Sequence, residues 1–197
     1  IGTPLLRKAA ARFGCGKADN AGERKIIAEE KLGRNSVYFL PYLMGERTPH
    51  LDPDCRGVFF GLSAMHTKAH FIRAILEGVT YSLYDCLLVL KEMNISPETM
   101  LLCGGGAKSP LWKKIMANVL GVKLESPACE QGPGMGGAML AMVTCGAYES
   151  VQAACEKLVA VSEIVKPEPE LTALYEKRYQ QFRKIYPAVK NLFPEIQ

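Results

Sequence analysis

Met100-Leu101-Leu102-Cys103-Gly104-Gly105-Gly106-Ala107-Lys108-Ser109-Pro110-Leu111-Trp112 is the segment that gives the rest of the chain its meaning. Its apolar start reads as a buried strand, which breaks on three consecutive glycines. Ser109 then offers an N-cap oxygen, and Pro110 sits at the first helical position, where its missing N–H costs nothing. Leu111 to Leu120 has helical spacing and stops at Gly121. A strand, a glycine turn and a helix N-terminus together bring bare backbone amides close to a ligand. A tight strand-to-helix turn with no ligand would have the same glycines, so the surrounding chain has to discriminate.

Downstream, Val122 to Glu125 reads as a short strand and completes a β-α-β unit with Thr99–Cys103. Gly132-Pro133-Gly134-Met135-Gly136-Gly137 reads as a loop leading into a helix over Ala138–Cys145. Ser150 caps a helix from Val151 to Leu158. A final amphipathic helix is predicted over Leu171–Tyr186, with Leu174, Tyr175, Tyr179, Phe182 and Ile185 on one stripe. Upstream, Thr67 opens the longest helix. Phe71, Ile72, Ile75, Leu76, Val79, Leu83, Cys86, Leu87 and Leu90 repeat at i, i+3, i+4, and Asn94 closes it. Its broadly apolar flanks predict packing on a sheet and on something else. Ser36–Leu40 and Gly57–Leu62 read as strands on either side of a polar loop, Met44 to Arg56. Residues 1–35 carry two predicted helices, Pro4–Phe13 and Glu23–Leu32, loosely assigned to the same domain as residues 36–197.

The 197 residues suffice for one domain with a core, and 48% hydrophobic with 22% charged residues is ordinary globular composition. A net charge of +4 without a Lys/Arg block does not argue for nucleic acid. No apolar run approaches the roughly 20 residues of a membrane span. The seven cysteines are scattered without a C-x-x-C pair and read as reduced, mostly packed thiols of a cytoplasmic protein, Cys103 among them. The chain begins at Ile1 with no leader and reads as a piece of something longer.

Gly132, Gly134 and Gly137 satisfy G-x-G-x-x-G, but no strand leads directly into them, and Glu156, about where the acidic partner belongs, falls in a predicted helix. They are expected to serve close helix packing and a second loop bordering the first glycine turn. His66 and His70 lack a third ligand at a convincing spacing, so a polar helix start is expected and no metal site is assigned. Lys108 could reach a phosphate, though loop lysines are usually solvated. Arg47 could bind an anion or pair with a structural carboxylate.

Gly57-x-Phe59-x-Gly61-Leu62, followed after seven residues by His70-Phe71-x-x-Ala74-Ile75-Leu76-Glu77, resembles the C-terminal signature of the FGGY family of carbohydrate kinases. Phe39-Leu40-Pro41-Tyr42-Leu43-Met44-Gly45-Glu46-Arg47-Thr48-Pro49-His50 and the later Gly-Gly-Gly-Ala-Lys-Ser resemble the xylulokinases within it. The resemblance runs from about Val37 to the C-terminus. It implies an α/β fold of the actin-like, ribonuclease-H-like class, with a mixed sheet flanked by helices. It further implies ATP-dependent phosphorylation of a sugar such as xylulose with ATP and Mg²⁺, in the cytoplasm. The adenosine end of the nucleotide would fall to Gly104, Gly105, Gly106, Ala107 and Ser109, while Glu46 and Arg47 would lie near the cleft. The family's catalytic Asp and its Gly-Thr phosphate hairpin precede the segment represented here. The resemblance therefore implies a nucleotide-side domain without a catalytic residue of its own, inactive alone and completed by an N-terminal half. Strands missing from its sheet imply self-association into a homo-oligomer. A non-catalytic nucleotide-binding or sensor module, and a fragment with no ligand competence, are the alternatives.

Overall fold

The computed structural model describes residues 32–128 and 133–196. The helices predicted over Pro4–Phe13 and Glu23–Leu32 lie outside them, apart from Leu32 itself. The first described strands form a small hairpin, β1 (Tyr38–Leu40) and β2 (Val58–Phe60), antiparallel with Tyr38 opposite Phe60. Helix α1 (Lys68–Glu92) lies across β1. Gly78 permits this approach, because a Cβ there would drive into the Phe39 carbonyl oxygen. The predicted start holds: Thr67 is the N-cap, and its backbone N–H donates to His70 Nδ1 at 3.1 Å. His66 likewise bonds Ser63 and Ser36, so both imidazoles serve the loop and helix start.

The second sheet has the order β3-β4-β5. Strand β3 (Thr99–Leu101) runs parallel to β4 (Lys123–Pro127), with α2 (Pro110–Leu120) as the crossover, which is the predicted β-α-β unit. Helix α2 starts and stops on the predicted signals. Ser109 Oγ accepts the Trp112 N–H at 3.3 Å, Pro110 holds the first position, and Gly121 ends the helix at φ 65°. Strand β5 (Val161–Val165), for which no expectation was formed, closes the sheet antiparallel to β4.

Helices α3 (Pro133–Thr144) and α4 (Val151–Leu158) pack as a pair beside this sheet. The final helical region is two helices, α5 (Pro169–Phe182) and α6 (Ile185–Val189), which break around Arg183 and Lys184. The predicted stripe faces inward. Tyr175, Tyr179 and Phe182 of α5 are buried against Tyr81 of α1, beside Ile115, Met116 and Val119 of α2. Burying side chains of this size contributes about 2–3 kcal/mol each. Helix α1 thus packs on β1, α2 and α5 together, which accounts for its broadly apolar surface.

Three expectations are corrected. Strand β3 is not buried: Thr99 and Met100 are half-buried and Leu101 is 51% exposed, and β3 has β4 on one side and no described strand on the other. Cys103 is exposed rather than a core thiol, and so is Cys145. Gly134 and Gly136 do not mark a loop, since α3 has already begun at Pro133, and Gly134, Gly136 and Gly137 would all accept a Cβ into open space. They do not serve close packing.

Candidate functional site

Leu102 still donates its N–H to Glu125 O, and the chain then leaves the sheet at Gly104. Gly104 adopts φ 89° and ψ −174°, a region essentially restricted to glycine. Residues Gly105–Lys108 then make a single 3₁₀ turn, closed by Ala107 N–H to Gly104 O at 3.0 Å, and Ser109 N–H reaches back to Gly106 O at 3.2 Å. The turn delivers the chain to the N-terminus of α2, where the helix dipole favours negative charge.

Two cavities flank this turn and share Cys103 and Gly104. One, of about 260 Å³, is walled by Leu101, Pro127, Met135, Gly136, Met139 and the Leu158–Ala160 connection. The other, of about 200 Å³, opens toward α1 and is walled by Pro41, Val79, Ser82, Leu83, Trp112 and Met116, with Gly105 and Gly106 in its floor. No Asp, Glu, His, Lys or Arg lines either, and apolar walls with a few polar backbone groups suit a flat heterocycle better than a triphosphate. Among the described residues no cluster of three or more His, Cys, Asp or Glu is placed to hold a metal ion.

Of the predicted site residues, Gly104, Gly105 and Gly106 are thus brought together at a cavity. Ala107 is a buried member of the turn itself, and Ser109 spends its hydroxyl on the α2 cap. Glu46 and Arg47 line neither cavity. Glu46 is buried and organises its own loop, accepting from Thr48 N–H at 2.6 Å and His50 N–H at 2.7 Å, while Arg47 is exposed. That loop is anchored elsewhere: His50 stacks on Tyr186 with centroids 3.9 Å apart, and Tyr186 Oη donates to Asp52 at 2.8 Å. The Tyr186 bond holds the Asp52 carboxyl below its ordinary value, and burial pushes the nearby Cys55 thiol up to about 12.

Sequence reasoning places Trp112 within about two turns of the expected ligand, in the first turn of the helix that follows the glycines, but does not single out Met116, Val79 and Ser82 as cavity walls. Their helical spacing marks them as core, and only the crossing of α1 with α2 turns that face toward the glycines. The loop expected of Gly132, Gly134 and Gly137 does reach the cavity beside the first turn, through Met135 and Gly136, but as the start of α3 rather than as a loop, and Gly132 lies outside the described residues.

Residues 7–145 match the C-terminal domain of the FGGY family of carbohydrate kinases. The xylulose kinase of Staphylococcus epidermidis is 39% identical over 171 residues, 87% of this chain and 34% of that protein. The chain therefore spans about a third of that relative's length. The crystal structure of a ligand-bound xylulose kinase from Lactobacillus acidophilus superposes with a TM-score of 0.85 at 25% identity, covering 100% of this chain and 40% of that one. A gluconate kinase from the same organism gives 0.84 at 26% identity, with the same coverage. The mixed sheet flanked by helices is accordingly of the actin-like, ribonuclease-H-like class that the signature implied. The chain belongs to the FGGY family of carbohydrate kinases and carries its C-terminal domain.

Proposed function

We propose that this chain is the nucleotide-side part of an ATP-dependent sugar kinase whose sugar is xylulose, converted to xylulose 5-phosphate. The observation that carries the reading is the glycine turn: a strand end, a glycine-only torsion at Gly104 and a helix N-terminus meet at two small apolar cavities, in a chain whose relatives include xylulose kinases. Phosphoryl transfer depends mostly on positioning and on neutralising charge. In this reading Gly104, Gly105, Gly106 and Ala107 seat the adenosine end, with Ser109 fixing the helix start behind it. Mg²⁺ would neutralise phosphate charge, but no carboxylate lines the two cavities, so no residue here is assigned to it. The base that takes the sugar proton and the triphosphate hairpin are assigned to an N-terminal half, so the chain alone transfers no phosphoryl group. The setting is cytoplasmic. The likeness to gluconate kinase makes gluconate the second candidate sugar.

Trp112, the sole tryptophan, walls the cavity that Gly105 and Gly106 floor, so its emission tests the assignment. Titration with MgADP to millimolar concentration is expected to shift that emission and to slow alkylation of exposed Cys103. Silence in emission, alkylation and calorimetry alike would refute the nucleotide seat. Sugar choice is read on the longest protein that carries this chain, as ADP release with xylulose against gluconate.

A further inference from the structure

We infer that Thr80 and Trp112 form a positioning pair that pins the glycine turn in its ligand-ready shape; this rests on reading the turn as the nucleotide seat. The indole of Trp112 is buried between α1 and the turn. Its Nε1–H is shared between Thr80 Oγ1 at 3.0 Å and the Leu76 carbonyl at 3.2 Å. Thr80 is fully buried and donates its own hydroxyl to the same Leu76 carbonyl at 2.7 Å. The three polar groups therefore close on one another, leaving the indole one orientation. The other side of the ring lies under Gly106, where an added Cβ would come within 2.6 Å of Cζ3 and 2.9 Å of Cε3. The Trp112 backbone N–H meanwhile holds Ser109 Oγ. One residue thus ties α1, the turn and the α2 cap together, and Thr80 sets its angle without lining either cavity.

A turn pinned in advance spares its ligand the cost of ordering it. Thr80→Val keeps the shape and removes the hydroxyl, and Thr80→Ser restores it. One neutral hydrogen bond controls a ratio of about fivefold. In Thr80→Val, hydrogen exchange of the Ala107 and Ser109 amides is expected to rise about fivefold, with the Ile115–Val119 amides of α2 unchanged. The dissociation constant for MgADP, read by calorimetry and Trp112 emission, should rise by a similar factor, and Thr80→Ser should return both to within about twofold of the parent. A merely structural threonine would change the unfolding temperature and leave exchange and affinity in the folded protein where they were. If Thr80→Val does not fold, Trp112→Phe removes the same N–H and is read by exchange and calorimetry. Unchanged turn amides in a folded variant overturn the inference. A parent chain that binds no MgADP overturns the nucleotide reading, whereas turn amides loosened in Thr80→Val and recovered in Thr80→Ser still support the pinning.

Discussion

Replacing Gly106 with alanine separates the reasons for two neighbouring glycines. Gly106 has no left-handed torsion to protect, unlike Gly104, but its missing Cβ leaves room for the Trp112 ring. A Cβ would sit at 2.6 Å and 2.9 Å from two ring carbons, well inside contact, so the ring or the turn has to yield. The ring cannot yield cheaply, because rotating it breaks the bonds to Thr80 and Leu76 at about 1 kcal/mol each. Overpacking of this kind costs about 1–3 kcal/mol, so a loss of about 2–3 kcal/mol is expected, or roughly 4–12 °C in unfolding temperature for a domain of this size. Gly104→Ala meets open space and costs about 1–3 kcal/mol through torsion alone. Trp112→Phe distinguishes the two in urea unfolding. Combined with Gly106→Ala it should recover about 1–2 kcal/mol, and combined with Gly104→Ala its effect should be additive. If Gly106→Ala lies within about 0.5 kcal/mol of the parent, or is additive with Trp112→Phe, the packing argument fails.

Gly78→Ala gains about 1 kcal/mol of helix propensity yet should destabilise by more than about 2 kcal/mol in urea, because the Phe39 carbonyl occupies the Cβ position; a stabilised variant would contradict the packing of α1 on β1. Burial raises the Asp85 carboxyl above its ordinary 3.8, so the folded state resists its ionisation. That penalty is absent below about pH 3.8 and grows as pH rises through the folded value. Asp85→Asn, which keeps an acceptor for Tyr179 Oη, should therefore raise the unfolding temperature at pH 7 and not at pH 3.5; the same difference at both values would exclude ionisation as the cause. Exposed Met44, Leu51, Met65 and Leu101, the last on strand β3, predict self-association, which sedimentation at high micromolar concentration would disprove by finding a clean monomer.

Local chemistry was readable wherever the deciding partners are near in sequence. Ser109, Pro110 and Gly121 bound α2 within a residue because a cap is a contact across three or four positions, and Ser150 does the same for α4. Strand β5 escaped notice because Ser162 and Glu163 interrupt its apolar pattern and its partner β4 lies more than thirty residues away. Burial was the least legible quantity. Leu101 and Cys103 have the sequence of an interior strand, and their exposure depends on what packs over that end of β3, which is distant in sequence. The glycine turn was located correctly from its own residues, but the reason for Gly106 was not. Its neighbour is an indole six residues on, and that indole is aimed by Thr80, a further thirty-two positions back. Of the cavity walls, Val79, Trp112 and Met116 come from helices whose periodicity speaks only of core.

The stretch matched by the family model and the unit that folds together have different ends. The family match stops at residue 145, short of β5, the outer strand beside β4, and of α5 with its three buried aromatics. Asn118 makes the dependence concrete. It is fully buried in α2, donates to the Lys114 carbonyl, and accepts from Glu168 N–H at 2.7 Å and Thr172 Oγ1 at 3.4 Å. Cutting the chain at Cys145 would strand that amide oxygen and strip the aromatic covering from Tyr81 on α1. The last fifty residues or so are therefore a clasp, and domain dissection at the edge of the family match would leave the glycine turn attached to a core that has lost its closure.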